Sequence, residues 1–299
     1  MEEFKSGFVT LIGRTNVGKS SIINRLIGEK VSAVTNKTQT TRKNIRAILN
    51  TENAQIIFID TPGIHKPKSK LSNVMVESAI SSIPDVDVVV YVVEAISKRI
   101  DEPTLNKIKE AKKKTILVIN KIDLVDAKRV AELIEQYKGL YDFSAIIPVS
   151  VTLNKNVDEI TKEIQRNLDE GPAYYDIEEY TDQTLRELVE ETIREKALKL
   201  LQDEVPHGIY VEVDKMKTRK TMQNEKFFDI NSTIFCLKES HKGIIIGKGG
   251  SMLKKIGTYS REDIEKMLNT KVNLKLWVKV NKDWINNSDL VKKYKNNID

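Results

Sequence analysis

Cysteine, histidine and long apolar runs are scarce in this chain: its 299 residues include one cysteine and three histidines. A lone cysteine, Cys236, excludes an internal disulfide and fits a reducing compartment, and we expect it to be a small buried side chain. Apolar runs such as 86–93 are far shorter than the roughly 20 residues of a membrane span. Residues 1–7 are polar and show no secretory signal. These absences predict a cytoplasmic protein.

Positive charge is present in modest excess and is unevenly distributed. The formal net charge is +6, and the segment 238–283 holds eleven Lys/Arg against five Asp/Glu. The remaining 38 basic and 38 acidic residues balance. A polyanion would therefore be attracted to this C-terminal stretch.

Apolar runs alternate with helical spacing through the first half of the chain. Residues 8–12, 55–59, 86–93, 115–119 and 145–148 are typical of buried strands, and the segments between them include helical stretches at 20–27 and 130–137. This alternation predicts an α/β domain, with a mostly parallel sheet covered by helices on both faces, over residues 1–170. We expect a linker at 171–181. The segment 182–299 then predicts a smaller α+β domain in the order helix, strand, strand, helix, helix, strand.

A phosphate-binding loop follows the first predicted strand. The segment from Gly13 to Ser20 fits the pattern GxxxxGK[ST] and precedes a helix, as that loop requires. Glycines let backbone N–H groups surround phosphate oxygens, and the helix N-terminus adds positive potential. Lys19 is predicted to reach the β- and γ-phosphates and Ser20 to ligate Mg²⁺. The predicted nucleotide contacts here are Gly13, Arg14, Thr15, Asn16, Val17, Gly18, Lys19, Ser20 and Ser21.

Two further motifs lie at the ends of predicted strands. Asp60, at the start of Asp-Thr-Pro-Gly, is expected to hold Mg²⁺ through water, and the N–H of Gly63 to contact a γ-phosphate. Asn120, Lys121 and Asp123 form the pattern NKxD. A carboxylate at Asp123 can accept two hydrogen bonds from guanine, whereas adenine offers no such donor pair, so the motif predicts guanine selectivity.

The three motifs, in this order, resemble the translation-factor-like GTPases. The resemblance implies a first switch at Thr38-Gln39-Thr40-Thr41-Arg42, in which Thr41 completes Mg²⁺ coordination, with Thr40 as the alternative. It also implies that Ser150 and Val151 contact the base, although Val151 departs from the usual alanine. We expect a backbone N–H to make that contact and the exchange to be tolerated.

The residue that positions the hydrolytic water is not evident from the sequence. Ile64 follows Gly63 where many GTPases carry a glutamine, and an aliphatic side chain cannot orient water. Asn16 resembles the asparagine that holds K⁺ in potassium-activated relatives, but turn geometry explains an asparagine there equally well. His65, in a basic loop, is more simply a surface residue than a catalytic base. Lys19, Thr41, Gly63 and Asn16 are the predicted catalytic groups.

The basic C-terminal segment contains Gly247-Lys248-Gly249-Gly250 between two short predicted helices. In that setting a GxxG loop resembles the loop of a type II KH domain, which clamps the backbone of single-stranded nucleic acid. Lys242, Lys254 and Lys255 are predicted to join the loop in an RNA-binding groove, together with the strand residues Lys271, Lys275 and Lys279. The alternative is a solvated basic face.

Taken over nearly its full length, the chain resembles the bacterial Era family of GTPases. This resemblance rests on the phosphate loop, the switch, the NKID motif, the linker GPAYY and the segment HKGIIIGKGGSMLKKIG. It implies binding to small-subunit ribosomal RNA near its 3′ end, a role in maturation of the small ribosomal subunit, and nucleotide gating of RNA binding. We expect a monomer, although the sequence itself does not disclose the oligomeric state. The resemblance also implies peripheral contact with the inner face of the cytoplasmic membrane.

Two other classes of function are weighed against this one. The first is a membrane-signalling GTPase whose basic domain meets lipid. The second is an enzyme that consumes GTP in other chemistry, which the lack of a second catalytic cluster in the sequence disfavours.

Overall fold

The computed structural model describes residues 3–35, 40–41, 44–64, 69–202, 205–282 and 284–287. They form two compact units. The first comprises the described residues up to Ser32 and from Thr41 to Asp182, and the second those of 33–40 and from Gln183 onwards. The stretch 171–181, expected to be a linker, groups with the first unit, where the Ser6 hydroxyl donates to the Pro172 carbonyl at 2.6 Å.

A six-stranded sheet forms the first unit, in the order β2-β3-β1-β4-β5-β6. β2 runs antiparallel to β3, and every other pairing is parallel. The strands are β1 Lys5–Ile12, β2 Ile45–Asn50, β3 Ala54–Asp60, β4 Val88–Glu94, β5 Lys114–Asn120 and β6 Ala145–Pro148. The helices are α1 Lys19–Ile27, α2 Lys70–Ser81, α3 Glu102–Ala111, α4 Ala127–Lys138 and α5 Val157–Asn167.

The central strands are buried on both faces, as their unbroken apolar sequences predict. Alternate residues of β4 enter two separate cores. Val90 packs with Ile22 of α1 and Ile160 of α5, whereas Tyr91 packs with Ile108 of α3. The predicted α/β architecture is confirmed. The short antiparallel strand β2 was not anticipated.

The second unit has a three-stranded sheet covered by helices on one face. Its order is β7-β8-β9, with β7 and β8 antiparallel and β8 and β9 parallel. The elements are α6 Leu185–Leu200, β7 Tyr210–Lys220, β8 Lys226–Cys236, α7 Glu239–Ile246, α8 Ser251–Leu268 and β9 Lys271–Val280. This is the order predicted from the sequence. Cys236 is buried in the core of this unit, as expected.

Candidate nucleotide site and nucleic-acid loop

The phosphate loop connects β1 to α1 and folds around its own lysine. The Lys19 side chain is buried, and its ammonium donates to the Gly13 and Arg14 carbonyls at 3.1 and 3.2 Å. Gly18 has φ +104°, and a Cβ there would lie 2.2 Å from Asn120 Nδ2. Only glycine allows the loop to pass this close to the base-selecting motif.

Three oxygen-bearing side chains meet beside this loop. Ser20 Oγ donates to Asp60 Oδ2 at 2.7 Å and lies 2.9 Å from Thr41 Oγ1, which is itself 3.4 Å from Asp60 Oδ2. The alternative, Thr40, lies 2.8 Å from Thr35 Oγ1 instead. The structure thus brings together Ser20, Thr41 and Asp60, the three predicted Mg²⁺ ligands.

The chemistry of this cluster suits a hard cation, which prefers oxygen ligands. Asp60 is fully buried, and its Oδ1 has no hydrogen-bond partner among the described residues. Burial raises the pKa of Asp60, an effect opposed by the hydrogen bond from Ser20 and the charge of Lys19. Burial likewise lowers the pKa of Lys19 to about 8, although the charge of Asp60 opposes the change. A buried carboxylate oxygen without a partner fits a site completed by a metal and its waters.

The base-selecting motif lies where β5 ends. Asn120 is buried; its amide donates to the Val17 carbonyl at 2.9 Å, and its oxygen accepts from the backbone N–H of Lys121 at 2.8 Å and of Val151 at 3.4 Å. Asp123 is exposed in the following 3₁₀ turn. The motif and the 150–151 loop are therefore tied to the phosphate loop by one amide.

Glu94 is a positioning residue that sequence analysis missed. It ends β4, and its Oε2 accepts from Lys121 Nζ at 2.5 Å, while the same ammonium donates to the Asn16 carbonyl at 2.8 Å. The sequence did contain a signal for this residue, because Glu94 is a carboxylate at the end of a run of valines. Neighbouring parallel strands such as β4 and β5 bring their carboxyl ends to the same edge of the sheet, so Glu94 lies next to the NKxD motif. Glu94 holds Lys121 across the phosphate loop.

The remaining predicted residues lie around this centre. Gly63 approaches the phosphate loop so closely that a Cβ there would lie 2.7 Å from Thr15 Cα, and the N–H of Ile64 donates to the Gly13 carbonyl at 3.1 Å. Asn16 is exposed with φ +66°, and Ser21 lies in the first turn of α1. The predictions for Thr38, Gln39, Arg42 and His65 fall outside the described residues.

In the second unit, Gly247-Lys248-Gly249-Gly250 joins α7 to α8. All three glycines have positive φ, and a Cβ at Gly249 or Gly250 would meet nothing within 4 Å. The loop leads into the N-terminus of the 18-residue helix α8, which favours anions. Lys248, Lys254 and Lys255 are exposed around it, and Lys242 is half-buried.

The six lysines expected in one groove lie on two faces of the unit. Lys271, Lys275 and Lys279 alternate along β9 with residues that enter the core under the helices. Their side chains therefore leave the sheet on the face opposite to α7 and α8. They do not join the lysines of the GKGG loop in a single cluster, because the alternation of a strand separates them.

Fold and site together define a class of protein: a P-loop GTPase unit followed by a KH domain. The family model for the 50S ribosome-binding GTPase matches residues 8–121, and the KH domain model matches residues 204–285. GTPase Era from Caldanaerobacter subterraneus subsp. tengcongensis is 50% identical over 292 residues, covering 97% of each chain. GTPase Era from Clostridium novyi is 49% identical, covering 97% of this chain and 98% of its own.

Solved structures agree with these matches. A crystal structure of Era in complex with MgGDPNP and nucleotides 1506–1542 of 16S ribosomal RNA is similar, with a TM-score of 0.92, 39% identity, and coverage of 97% of this chain and 98% of that one. An Aquifex aeolicus Era variant bound to GDP·AlF₄⁻ gives a TM-score of 0.91 at 38% identity, covering 97% and 99% of the two chains. The chain belongs to the GTPase Era family.

Proposed function

We propose that this GTPase is a nucleotide-gated RNA-binding switch that acts in maturation of the small ribosomal subunit. The carrying observation is the pairing, in one chain, of a guanine-type nucleotide site with a KH domain whose GKGG loop is open and basic. A relative that matches over nearly its whole length binds MgGDPNP together with the 3′-terminal region of 16S ribosomal RNA. The partners are accordingly small-subunit rRNA near its 3′ end and the small subunit, in the cytoplasm, and the protein acts as a monomer.

Nucleotide binding is proposed to use the residues that the structure gathers around the phosphate loop. Lys19 holds its proton against the phosphates, whose negative charge offsets the burial that lowers its pKa in the free protein. Asn120 ties the base loop to the phosphate loop, Lys121 lies along the base, and Asp123 accepts from guanine. These contacts orient the triphosphate before any bond breaks.

The metal site is proposed to consist of Ser20, Thr41 and Asp60. When bound, Mg²⁺ neutralises charge that develops on the β- and γ-phosphate oxygens. Thr41 is preferred to Thr40 because its hydroxyl lies beside Ser20 and Asp60, whereas the Thr40 hydroxyl lies 2.8 Å from Thr35 Oγ1. Thr41→Ala should slow Mg²⁺-dependent GTP turnover strongly, whereas Thr40→Ala should not; the reverse order would assign the role to Thr40.

Potassium is proposed to act beside Asn16. An aliphatic Ile64 leaves transition-state charge to other groups, and Asn16 lies in the phosphate loop with its backbone carbonyl already fixed by Lys121. Replacing Na⁺ by K⁺ should accelerate turnover severalfold in the native protein and leave Asn16→Ala unchanged. Equal rates in the two salts would remove K⁺ from the mechanism.

The membrane-signalling alternative receives no support from the relatives. No helix among the described residues is both long and apolar enough to cross a membrane. The relative with the highest structural similarity quoted above carries RNA. RNA is therefore the proposed ligand of the basic unit.

Two substitutions test the two halves of the proposal separately. Asp123→Asn should exchange guanine for xanthine preference, lowering GTP affinity by about three orders of magnitude because a buried donor pair on the base loses its acceptor. Lys248→Asp should abolish binding of single-stranded 16S 3′-terminal RNA while leaving GTP affinity intact. Calorimetry and RNA titration on both variants give a two-by-two comparison. RNA binding that survives Lys248→Asp would reduce the GKGG loop to a structural turn.

A further inference from the structure

Among the described residues, one face of the three-stranded sheet of the second unit carries none of the helices α6, α7 and α8. The 3₁₀ turn Trp284–Asn286 packs at one end of this face, where the rings of Trp284 and Tyr210 lie 4.7 Å apart. We call this face the outer sheet face: the residues of β7, β8 and β9 whose side chains leave the sheet opposite to α6, α7 and α8. Strand pairing aligns them in rows across the sheet. Those rows are Lys215–Asn231–Lys275, Lys217–Asp229–Asn273, Arg219–Phe227–Lys271, Glu212–Thr233–Trp277 and Tyr210–Phe235–Lys279.

This face is strongly basic. Lysines from both edge strands are exposed on it, namely Lys215, Lys217, Lys271, Lys275 and Lys279. Three carboxylates also lie at this face. One of them, Asp229, is engaged, since it accepts from Arg219 Nε at 2.9 Å and from Asn273 Nδ2 at 2.8 Å. Asp214, at the bulge of β7, accepts from Thr233 Oγ1 at 2.8 Å, and Glu212 lies in the row of Trp277, so six basic side chains face three acidic ones. The potential over the face is therefore positive and complementary to a phosphate backbone.

An exposed tryptophan lies within this field. Trp277 is 44% exposed, between Lys275 and Lys279 on the same face of β9. The other tryptophan, Trp284, is 1% exposed and donates from Nε1 to the Gly208 carbonyl. Proteins that bind single-stranded nucleic acid combine an exposed aromatic ring with nearby lysines, because bases stack on the ring while the ammonium groups bind the phosphates.

A protein-docking surface would look different. The flanking side chains on β9 are lysine and asparagine, and lysine is depleted at the centres of protein interfaces. Phe235, the aromatic neighbour on β8, already stacks on Tyr210 with ring centroids 4.6 Å apart. Tyr210 in turn contacts Trp284, with ring centroids 4.7 Å apart, whereas Trp277 makes no ring contact among the described residues and lies between Lys275 and Lys279.

We propose that the outer sheet face is a second RNA contact, distinct from the GKGG loop, at which Trp277 stacks on an unpaired base and Lys271, Lys275 and Lys279 bind the adjoining backbone. This inference rests on the proposed RNA-binding function and extends it to a part of the RNA that the loop does not hold. It lengthens the stretch of RNA that one protein molecule can hold.

The two tryptophans make the contact directly measurable. Titration of the full chain with RNA of nucleotides 1506–1542 of 16S rRNA should quench tryptophan emission, since Trp277 is exposed and Trp284 is buried. Trp277→Leu should lose the quenching and bind the RNA about tenfold more weakly. Quenching that persists in Trp277→Leu, or an affinity equal to that of the native protein, would overturn the proposal.

Charge is tested by the triple variant Lys271→Gln, Lys275→Gln, Lys279→Gln. If each lysine binds one phosphate, the slope of log affinity against log salt should become shallower by about two, at roughly 0.7 per contact. The matched control neutralises three exposed lysines of the first unit, Lys98, Lys109 and Lys128, and should keep the native slope. Identical slopes in the two triple variants would contradict the proposal.

The outcomes of these experiments distinguish failure of the second RNA contact from failure of the proposed RNA-binding function. Failure of the native protein to bind the RNA at all would remove the proposed function. Native binding with unchanged emission, and with full affinity in the sheet variants, would remove only the second contact. Vesicles of phosphatidylcholine with one quarter phosphatidylglycerol provide the lipid arm, and tighter binding to them than to RNA through these lysines would assign the face to a membrane instead.

Discussion

The nucleotide site keeps its charges inside the fold, whereas the GKGG loop displays its charges on the surface. Lys19 is 6% exposed and Asp60 is fully buried, each compensated by the other and by nearby polar groups. Lys248, Lys254 and Lys255 are exposed, and Gly249 and Gly250 face open space. The nucleotide site therefore requires each buried charge to have a specific partner, whereas the GKGG loop requires only an accessible backbone surrounded by exposed lysines.

That difference decides how specific each motif is. Burying a charge costs free energy unless the charge is paired. The phosphate loop, the aspartate at the strand end and the NKxD motif must therefore occur together in one fold, which makes their combination specific. An open glycine turn imposes no such requirement, and four residues alone do not identify it. The prediction of a KH domain depended on the strands and helices around the GKGG loop.

The strongest test of this contrast exchanges glycine for alanine at two positions with positive φ. At Gly18 the added Cβ would lie 2.2 Å from Asn120 Nδ2, whereas at Gly28, φ +80°, it would meet nothing within 4 Å. Gly18→Ala should weaken GTP binding by about three orders of magnitude, because the phosphate loop and the base loop cannot both stay in place. Gly28→Ala should cost about 1 kcal/mol of stability and leave affinity nearly unchanged. Calorimetric titration of both variants decides it, and equal affinities would show that the loop tolerates displacement.

The sequence predicts what local patterns determine and misses what pairing determines. The strands around Val90, Ile116 and Ile147 follow from near-continuous apolar runs, and the phosphate loop from its residue types. β2 was missed because a short strand with a mixed sequence is defined by its partner β3, not by its own periodicity.

The candidate site shows the same division. Asn120 and Asp60 are evident as motif residues, but the Glu94–Lys121 pair depends on β4 lying next to β5. The separation of Lys271, Lys275 and Lys279 from the GKGG lysines needed the position of the helices relative to β9. Proximity in sequence could not show which face of a strand an electrostatic groove would occupy.

The next test concerns the helix α7 that precedes the GKGG loop, and compares a buried residue with an exposed one. Ile245 and Ile244 are neighbours in α7, the first 0% and the second 50% exposed. Ile245→Ala should destabilise the second unit by about 3 kcal/mol through the cavity it leaves, and Ile244→Ala by less than about 0.5 kcal/mol. Urea unfolding measures both, and GTP affinity should be unchanged in each. If Ile245→Ala instead weakened GTP binding and left RNA binding intact, the assignment of each site to its own unit would be wrong.

The smallest expected effect follows from the buried lysine. In the nucleotide-free protein the pKa of Lys19 is lowered to about 8, while the bound phosphates favour the ammonium form. Above pH 8 nucleotide binding must therefore take up a proton, and the Kd for GTP should rise by about tenfold between pH 7.5 and 9. The free protein behaves in the opposite sense: between pH 8 and 10.5 its unfolded state binds more protons at this position, so the contribution of Lys19 to the free energy of unfolding rises with pH. The Lys19→Arg variant stays charged throughout, so it should bind GTP more weakly and with a Kd that does not change with pH. If the Kd of the native protein were equally constant between pH 7.5 and 9, the pKa of Lys19 would not be lowered to about 8 in the nucleotide-free protein.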